Sequence, residues 1–339
     1  LSEELNLPFN GIRLSKARRD KSIMHAQVAS KGIRVPFQTT ATCFQEVELW
    51  MKETKLEFPI VIKPLDGAGS AGVCKCTDIN QVKTAFESIK QLAIQKKTVV
   101  SVGNKVIVQE FLQGTEYVVD TVSLNGVHKL IDIYACKKGT HNQGSFVYEY
   151  FDLIDHESEV KNKLYSYACG VLDALDIKTG PGHLEIYMQQ DLTPVLVEIG
   201  SRLGGPRMPY ATSPSVASKK AQTQYTIDAY LEPDKFSDAW DDSYEKIKHS
   251  RMVFLIHYEE AVFKGFQEDI IKKVRELNSY YHAEFSVDIN DRLKKTIDVR
   301  SSPGFIYLIH ENPDQIELDY QKIRQLESYL YKKAILTSN

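Results

Sequence analysis

No stretch of the sequence runs to about eighteen consecutive apolar residues, and none near its start has the short apolar core of a secretory leader. A helical membrane span and a signal peptide are therefore not expected, and a cytoplasmic protein is. Cysteine is scarce: Cys43, Cys74, Cys76, Cys136 and Cys169 are odd in number and scattered, with no CxxC pair and no histidine at zinc-ligand spacing. That argues against a disulfide framework and a zinc module. Even Cys74 and Cys76, two apart on an expected strand, read as reduced thiols. A surplus of one charge is missing too, since 42 Lys and Arg stand against 45 Asp and Glu. At a net charge of −3 there is no overall field to draw nucleic acid or an anionic membrane. Small molecules are the expected partners, and a homodimer is compatible with them. No Walker A loop, no Ser/His/Asp or Cys/His set and no internal repeat is present.

What is present is ordinary globular material, 42% hydrophobic and 26% charged over 339 residues, enough for two or three subdomains. Residues 1–10 open without methionine inside what reads as a helix end and loop, so something upstream is expected. Helical spacing covers Ala17–Lys31, Phe44–Thr54 and Gln81–Leu92, and strands are expected over Phe58–Pro64, Gly72–Cys76 and Lys105–Phe111. From Glu116 the texture turns to strands, Tyr117–Leu124 and His128–Cys136, joined at Asn125-Gly126, a hairpin signal. Helices are expected at Glu159–Leu175 and Ala217–Leu231, then a polar segment, Glu232–Glu245. The remainder alternates strands (Arg251–Tyr258, Gly304–His310) with helices (Gln267–Leu277, Leu318–Ile335). The class is α+β with mixed sheets in consecutive lobes.

The stretch His183–Gly205, HLEIYMQQDLTPVLVEIGSRLGG, reads as a hairpin. A turn centred between Asp191 and Leu192 sets Glu185 across from Glu198 on one face, with Cβ atoms roughly 5 Å apart. Carboxylates that close repel unless a proton or a cation intervenes. A hard divalent ion held by the pair and by substrate phosphates is one reading; a surface hairpin with two solvated glutamates is the other. Arg202 and Gly204-Gly205 follow, an anion clamp and a place for close backbone approach.

Lys63 interrupts an apolar strand, where an ammonium needs an anion. The glycines after it (Gly67, Gly69, Gly72) with Ser70 form either a phosphate-covering hairpin or a plain turn. Glu110 and Glu116 flank Phe111-Leu112-Gln113-Gly114-Thr115, a linker between a helix-rich and a strand-rich part, where nucleotide clefts often lie; solvated acidic residues at a turn are the other reading. Lys21 alone reads as a surface lysine, and His183 as either a core histidine or a support for Glu185.

Taken in order, Asp20-Lys21, IVIKPLDGAGSAGV, VIVQEFLQGTEYVVD and HLEI…LVEIGSRLGG resemble the ATP-grasp superfamily over roughly residues 16–235. The end, SSPGFIYLIHENPDQIELDYQKIRQLES, is similar to the C-terminal domain of the L-amino-acid ligase (dipeptide synthetase) branch and of carnosine-synthase-type ligases. The resemblance implies two α+β lobes gripping ATP and a lid-like α+β domain. The implied segments are 1–15 as the remnant of, or linker from, an upstream domain, 16–113 and 114–235 as the lobes, and 236–339 as the lid. An N-terminal α/β domain forming one wall of the substrate pocket would precede residue 1.

It also implies roles. Lys21 and Lys63 match the lysines on the ATP phosphates, Gly69 and Ser70 the phosphate-loop tip, Gln109, Glu110, Phe111 and Leu112 the adenine hinge, and Glu116 the ribose acid. Glu185 and Glu198 match the ligands of Mg²⁺, which Mn²⁺ can replace; Arg202 matches the arginine that stabilises the acyl-phosphate reaction, and Gly205 the adjoining backbone contact. Gly200 stands where many members carry an asparagine that serves a second metal ion. Lys137, Lys138, His141, Asn142 and Gln143 are further candidates for the triphosphate or substrate. The implied activity is ATP-dependent amide formation between a carboxylate and an amine, in expectation between amino acids, through an acylphosphate. A biotin-carboxylase-like enzyme and a nucleotide-binding module without ligase activity are the rival readings.

Overall fold

The computed structural model describes residues 4–5, 7–65, 72–95, 105–142, 145–205, 207–238 and 244–335. In chain order the elements are α1 (Lys21–Ala29), β1 (Gln38–Ala41), α2 (Phe44–Thr54), β2 (Ile60–Pro64), β3 (Cys74–Cys76), α3 (Ile79–Gln95), β4 (Val106–Glu110), β5 (Thr115–Leu124), β6 (Val127–His141), β7 (Ser145–Leu153), α4 (Glu159–Ala174), β8 (Gly180–Met188) and β9 (Pro194–Gly200). There follow α5 (Pro209–Ser215), α6 (Gln222–Leu231), α7 (Pro233–Asp238), β10 (His249–Phe254), β11 (Ala261–Phe266), α8 (Glu268–Arg275), β12 (Tyr280–Phe285), β13 (Arg292–Leu293), β14 (Gly304–His310), α9 (Pro313–Leu326) and β15 (Tyr331–Ile335). They divide into two units, one of residues 1–115, 123–128 and 162–202, the other of 116–122, 129–161 and 203–339.

In the first unit β1-β4-β2-β3 form an antiparallel sheet. Alternation along the strands sends Ile60, Ile62, Val106 and Val108 into a core with Val47, Val82 and Phe86 from α2 and α3. The opposite face then carries Gln38, Gln109 and Lys63, whose Cα partners are Gln38↔Gln109 and Lys63↔Ile107. Helix α1 starts where the Asp20 side chain accepts from the amides of Ser22 and Ile23, which satisfies donors a helix start leaves open. The β8–β9 hairpin backs onto α4, whose Leu164, Ala168, Val171 and Leu172 are buried. Tyr167 of α4 takes the Leu196 amide on its hydroxyl at 2.8 Å and donates to the carbonyl of Arg34.

In the second unit the strand order β12-β14-β10-β7-β6-β5 holds a core with α8 and α9, in which Val253, Leu255, Ile306, Leu308, Ile316 and Ile323 meet. A smaller sheet, β13-β11-β15, joins the same core. The turn between β5 and β6 is the expected one: Asn125 and Gly126 both have positive φ, 53° and 82°.

The α+β class holds, while several local expectations change. The helix expected over Leu318–Ile335 starts earlier and stops earlier, because Asn312 caps it, Pro313 opens it, and Tyr331–Ile335 pairs with β11 as a strand. The helix expected from Ala217 begins at Gln222, and the segment after it holds α7. Among the described residues no helix is long and apolar enough to cross a membrane.

Candidate active site

Glu185 and Glu198 are Cα partners across the β8–β9 hairpin. The expected turn centre is off by half a residue, and a bulge between Glu185 and Ile186 restores the pairing: Ile186, Tyr187 and Met188 pair with Leu196, Val195 and Pro194, whereas His183, Leu184 and Glu185 pair with Gly200, Ile199 and Glu198. Val197 is the extra residue. Asp191, whose side chain accepts from the amide of Thr193, and Leu192 at φ 60° form the tip. One face keeps Leu184, Ile186, Leu196 and Ile199 buried, at most 3% exposed, so the glutamates share the other. Bulges re-aim side chains and tend to sit beside active sites.

Helix α1 lies along β9 at this point. Lys21 Nζ is 2.7 Å from Glu198 Oε2. One turn on, the neutral imidazole of His25 donates from Nε2 to the Val197 carbonyl at 3.1 Å, a group that the bulge presents. Burial, then the nearby charge of Lys63, holds the His25 pKa down at about 4, with Lys21 adding to the effect. Lys21 is thus a buried residue on a carboxylate rather than a surface lysine, and His25 was not anticipated, although its spacing of four from Lys21 puts both on one face.

Lys63 is 5% exposed on the sheet face that also carries Gln109, which donates to Gln38 at 2.9 Å. Glu110 ends β4 with its carboxylate engaged: Arg34 Nη2 lies at 2.5 Å and the Phe37 amide at 2.6 Å. Its side chain is therefore a strut, and Lys75 Nζ lies 4.2 Å from the centroid of the Phe111 ring next to it. Leu112 is buried. Gly69 and Ser70 lie outside the described residues, as does Gln143. The Arg202 side chain folds over Gly200, since a Cβ at Gly200 would lie 3.0 Å from Arg202 Cγ and 3.1 Å from its Nε.

In the second unit Glu116 is buried and held at both oxygens, by Lys138 Nζ at 2.5 Å and by the Tyr148 hydroxyl at 2.5 Å. Each oxygen keeps a further lone pair for another donor. Asn142 donates to the carbonyls of His257 and Thr296 at 2.9 and 2.8 Å, and His141 Nε2 lies 2.9 Å from Glu149, so both are fastened within the fold. Lys137 is exposed. Gly204 and Gly205, with Asp120, Asp132, Met208 and Gln222, line a cavity of about 240 Å³. Gln222 accepts the Gly204 amide at 2.7 Å and donates to the Thr121 carbonyl at 3.0 Å, which fixes the glycine loop from below.

The ATP-grasp domain family matches residues 56–210. A dapdiamide A synthase of Enterobacter agglomerans is 30% identical over 340 residues, covering 99% of this chain and 77% of its own length. The chain belongs to the ATP-grasp ligases. An L-arginine-specific L-amino acid ligase of Bacillus subtilis is 25% identical over 55% of this chain and 43% of its own length. In fold, this ATP-grasp ligase is similar to an L-amino acid ligase from Bacillus licheniformis, with a TM-score of 0.76 at 19% identity, over 98% of this chain and 77% of that one. It is an ATP-dependent enzyme that forms an amide bond between small-molecule substrates.

A divalent ion fits the ligase's facing glutamates. Among the described residues no three His, Cys, Asp or Glu side chains gather into a cage. Two carboxylates with no third are the donor set of an ion that completes its shell with phosphate oxygens and water. The ammonium on Glu198 shows that this face already stabilises a cation.

Proposed function

We propose that this ligase joins two amino acids: the carboxylate of one takes the γ-phosphoryl group of ATP, and the amine of the other attacks the resulting acylphosphate, leaving the amide, ADP and phosphate. The observation that carries the reading is the pair Glu185 and Glu198 in register on one hairpin face, with Lys21 beside them. The names of the relatives, a dapdiamide A synthase and an L-arginine-specific L-amino acid ligase, support amino acids as the substrate class.

Glu185 and Glu198 would hold Mg²⁺, or Mn²⁺ in its place, which when bound supplies charge to offset that of the transferring phosphoryl group. Lys21 and Lys63 contribute the cationic side of the phosphate site. Backbone of Gln109, Glu110, Phe111 and Leu112 meets the adenine, and Glu116 accepts from ribose through its remaining lone pairs. Arg202 steadies the anionic oxygens of the reacting carboxyl group, and Gly205 lets backbone approach them. Positioning and preorganised charge do the catalytic work, and no protein nucleophile is required. The 16–113, 114–235 and 236–339 division and a cytoplasmic setting complete the proposal.

The test is phosphate release from ATP across pairs of amino acids, with product mass. Amino-acid-dependent release with a dipeptide product supports the reading. Release that requires bicarbonate and a biotin acceptor, or nucleotide binding with no amino-acid-dependent release, contradicts it.

A further inference from the structure

Lys21 is the first residue of α1, where its charge opposes the positive end of the helix dipole. It is also buried, which penalises an ammonium lacking a counter-charge. Glu198 supplies that charge at 2.7 Å, with the two side chains 11% and 21% exposed. His25, one turn along α1, is bonded to Val197, the residue before Glu198. Two successive positions of β9 are thus gripped from one helix face, and the helix itself aims Lys21 at Glu198. Because Glu185 stands across from Glu198, this ammonium occupies one side of the place that two facing carboxylates offer a cation.

We propose that Lys21 is a built-in counter-ion for Glu198, which keeps a divalent ion from settling on the glutamate pair until a nucleotide arrives. The inference rests on the reading of Glu185 and Glu198 as metal ligands. A triphosphate gives Lys21 a new anionic partner, so the movement that completes the phosphate site is the one that frees Glu198 for the metal. Metal ion and nucleotide then enter with positive coupling, and each raises the affinity of the other by the same factor. Without nucleotide Glu198 keeps Lys21 as its counter-charge.

The probe is Mn²⁺, titrated without nucleotide into the 339-residue protein and followed by the electron spin resonance of unbound Mn²⁺. The proteins are wild type, Lys21→Met, Lys21→Gln, Glu198→Gln and the double variant Lys21→Met/Glu198→Gln, with thermal melts to establish that each is folded. Lys21→Met and Lys21→Gln should bind Mn²⁺ at least about tenfold more tightly than wild type, a gain that the double variant loses. ATP binding without metal should weaken in Lys21→Met. If both Lys21 variants stay within about twofold of wild type, or the double variant keeps the gain, the counter-ion role is wrong. Glu198→Gln carries the separate control: Mn²⁺–ATP binding unchanged from wild type would sink the metal-ligand reading itself, whereas its loss together with unaltered Lys21 variants sinks the counter-ion alone.

Discussion

Gly114 passes so close to the end of β8 that a Cβ there would lie 2.0 Å from the Met188 carbonyl oxygen, 2.9 Å from its carbon and 3.0 Å from Gln189 Cα. All three are backbone atoms, and Gly114 has φ +135°, which L side chains avoid. The linker that leaves the expected adenine hinge is therefore seated on the glutamate hairpin. Gly114→Ala should cost about 3 kcal/mol, combining overpacking with backbone strain. Urea unfolding measures it, and a loss under about 0.5 kcal/mol, the size of an ordinary surface change, would mean that the contact is not tight.

His25 predicts a pH dependence. Its pKa is about 4 in the fold and about 6.5 unfolded, so between these values the unfolded chain binds more protons and stability rises with pH. The contribution is complete above the unfolded value and is lost as pH falls toward the folded one, at up to about 1.4 kcal/mol per pH unit. His25→Asn removes this titration. Chemical denaturation from about pH 7 down to about pH 5 should show wild type losing stability faster than the variant; parallel curves would contradict the assignment.

The Lys138–Glu116 pair should behave as a buried ion pair rather than a surface one, since the side chains are only 15% and 3% exposed. Lys138→Met leaves Glu116 charged, buried and short of one donor. A loss on the order of 3 kcal/mol is expected, with Lys138→Arg recovering part of it. An effect no larger than that of an exposed pair would show that water reaches Glu116.

Much of this was legible in the sequence because period-two alternation and a two-residue Asn-Gly turn are local signals. The hairpin, the facing of Glu185 and Glu198, and the strand expected over Phe58–Pro64 with its single lysine, which forms over Ile60–Pro64, all follow from such patterns. What escaped depends on distant partners. No local pattern marks the bulge at Val197, since Val195–Ile199 alternates in either register. Strand β15 reads as helix in the sequence because Tyr331–Ile335 continues a helical spacing, and only its pairing with β11 decides otherwise. The partners of Glu110 and Glu116, namely Arg34, Tyr148 and Lys138, lie tens of residues away in sequence, which composition and spacing cannot connect.

Lys63 carries a prediction that separates function from stability. It sits on the sheet face away from the α2 and α3 core, and a phosphate is its proposed partner. Lys63→Ala should weaken ATP binding by roughly tenfold or more, the scale of a charge-assisted contact, with a smaller change in nucleotide-free stability. Calorimetric ATP titration beside thermal melting reads both. A drop of several kcal/mol in stability at unchanged ATP affinity would make Lys63 a structural ion-pair member instead.

The central claim is that Glu185 and Glu198 together hold the metal for phosphoryl transfer. The most direct test is the Mg²⁺ dependence of amino-acid-driven phosphate release in Glu185→Gln and Glu198→Gln, with folding checked by circular dichroism. Each variant should fold, lose turnover by at least about a hundredfold, and need far more Mg²⁺ to bind ATP. Two folded variants that keep the wild-type Mg²⁺ dependence would contradict the account.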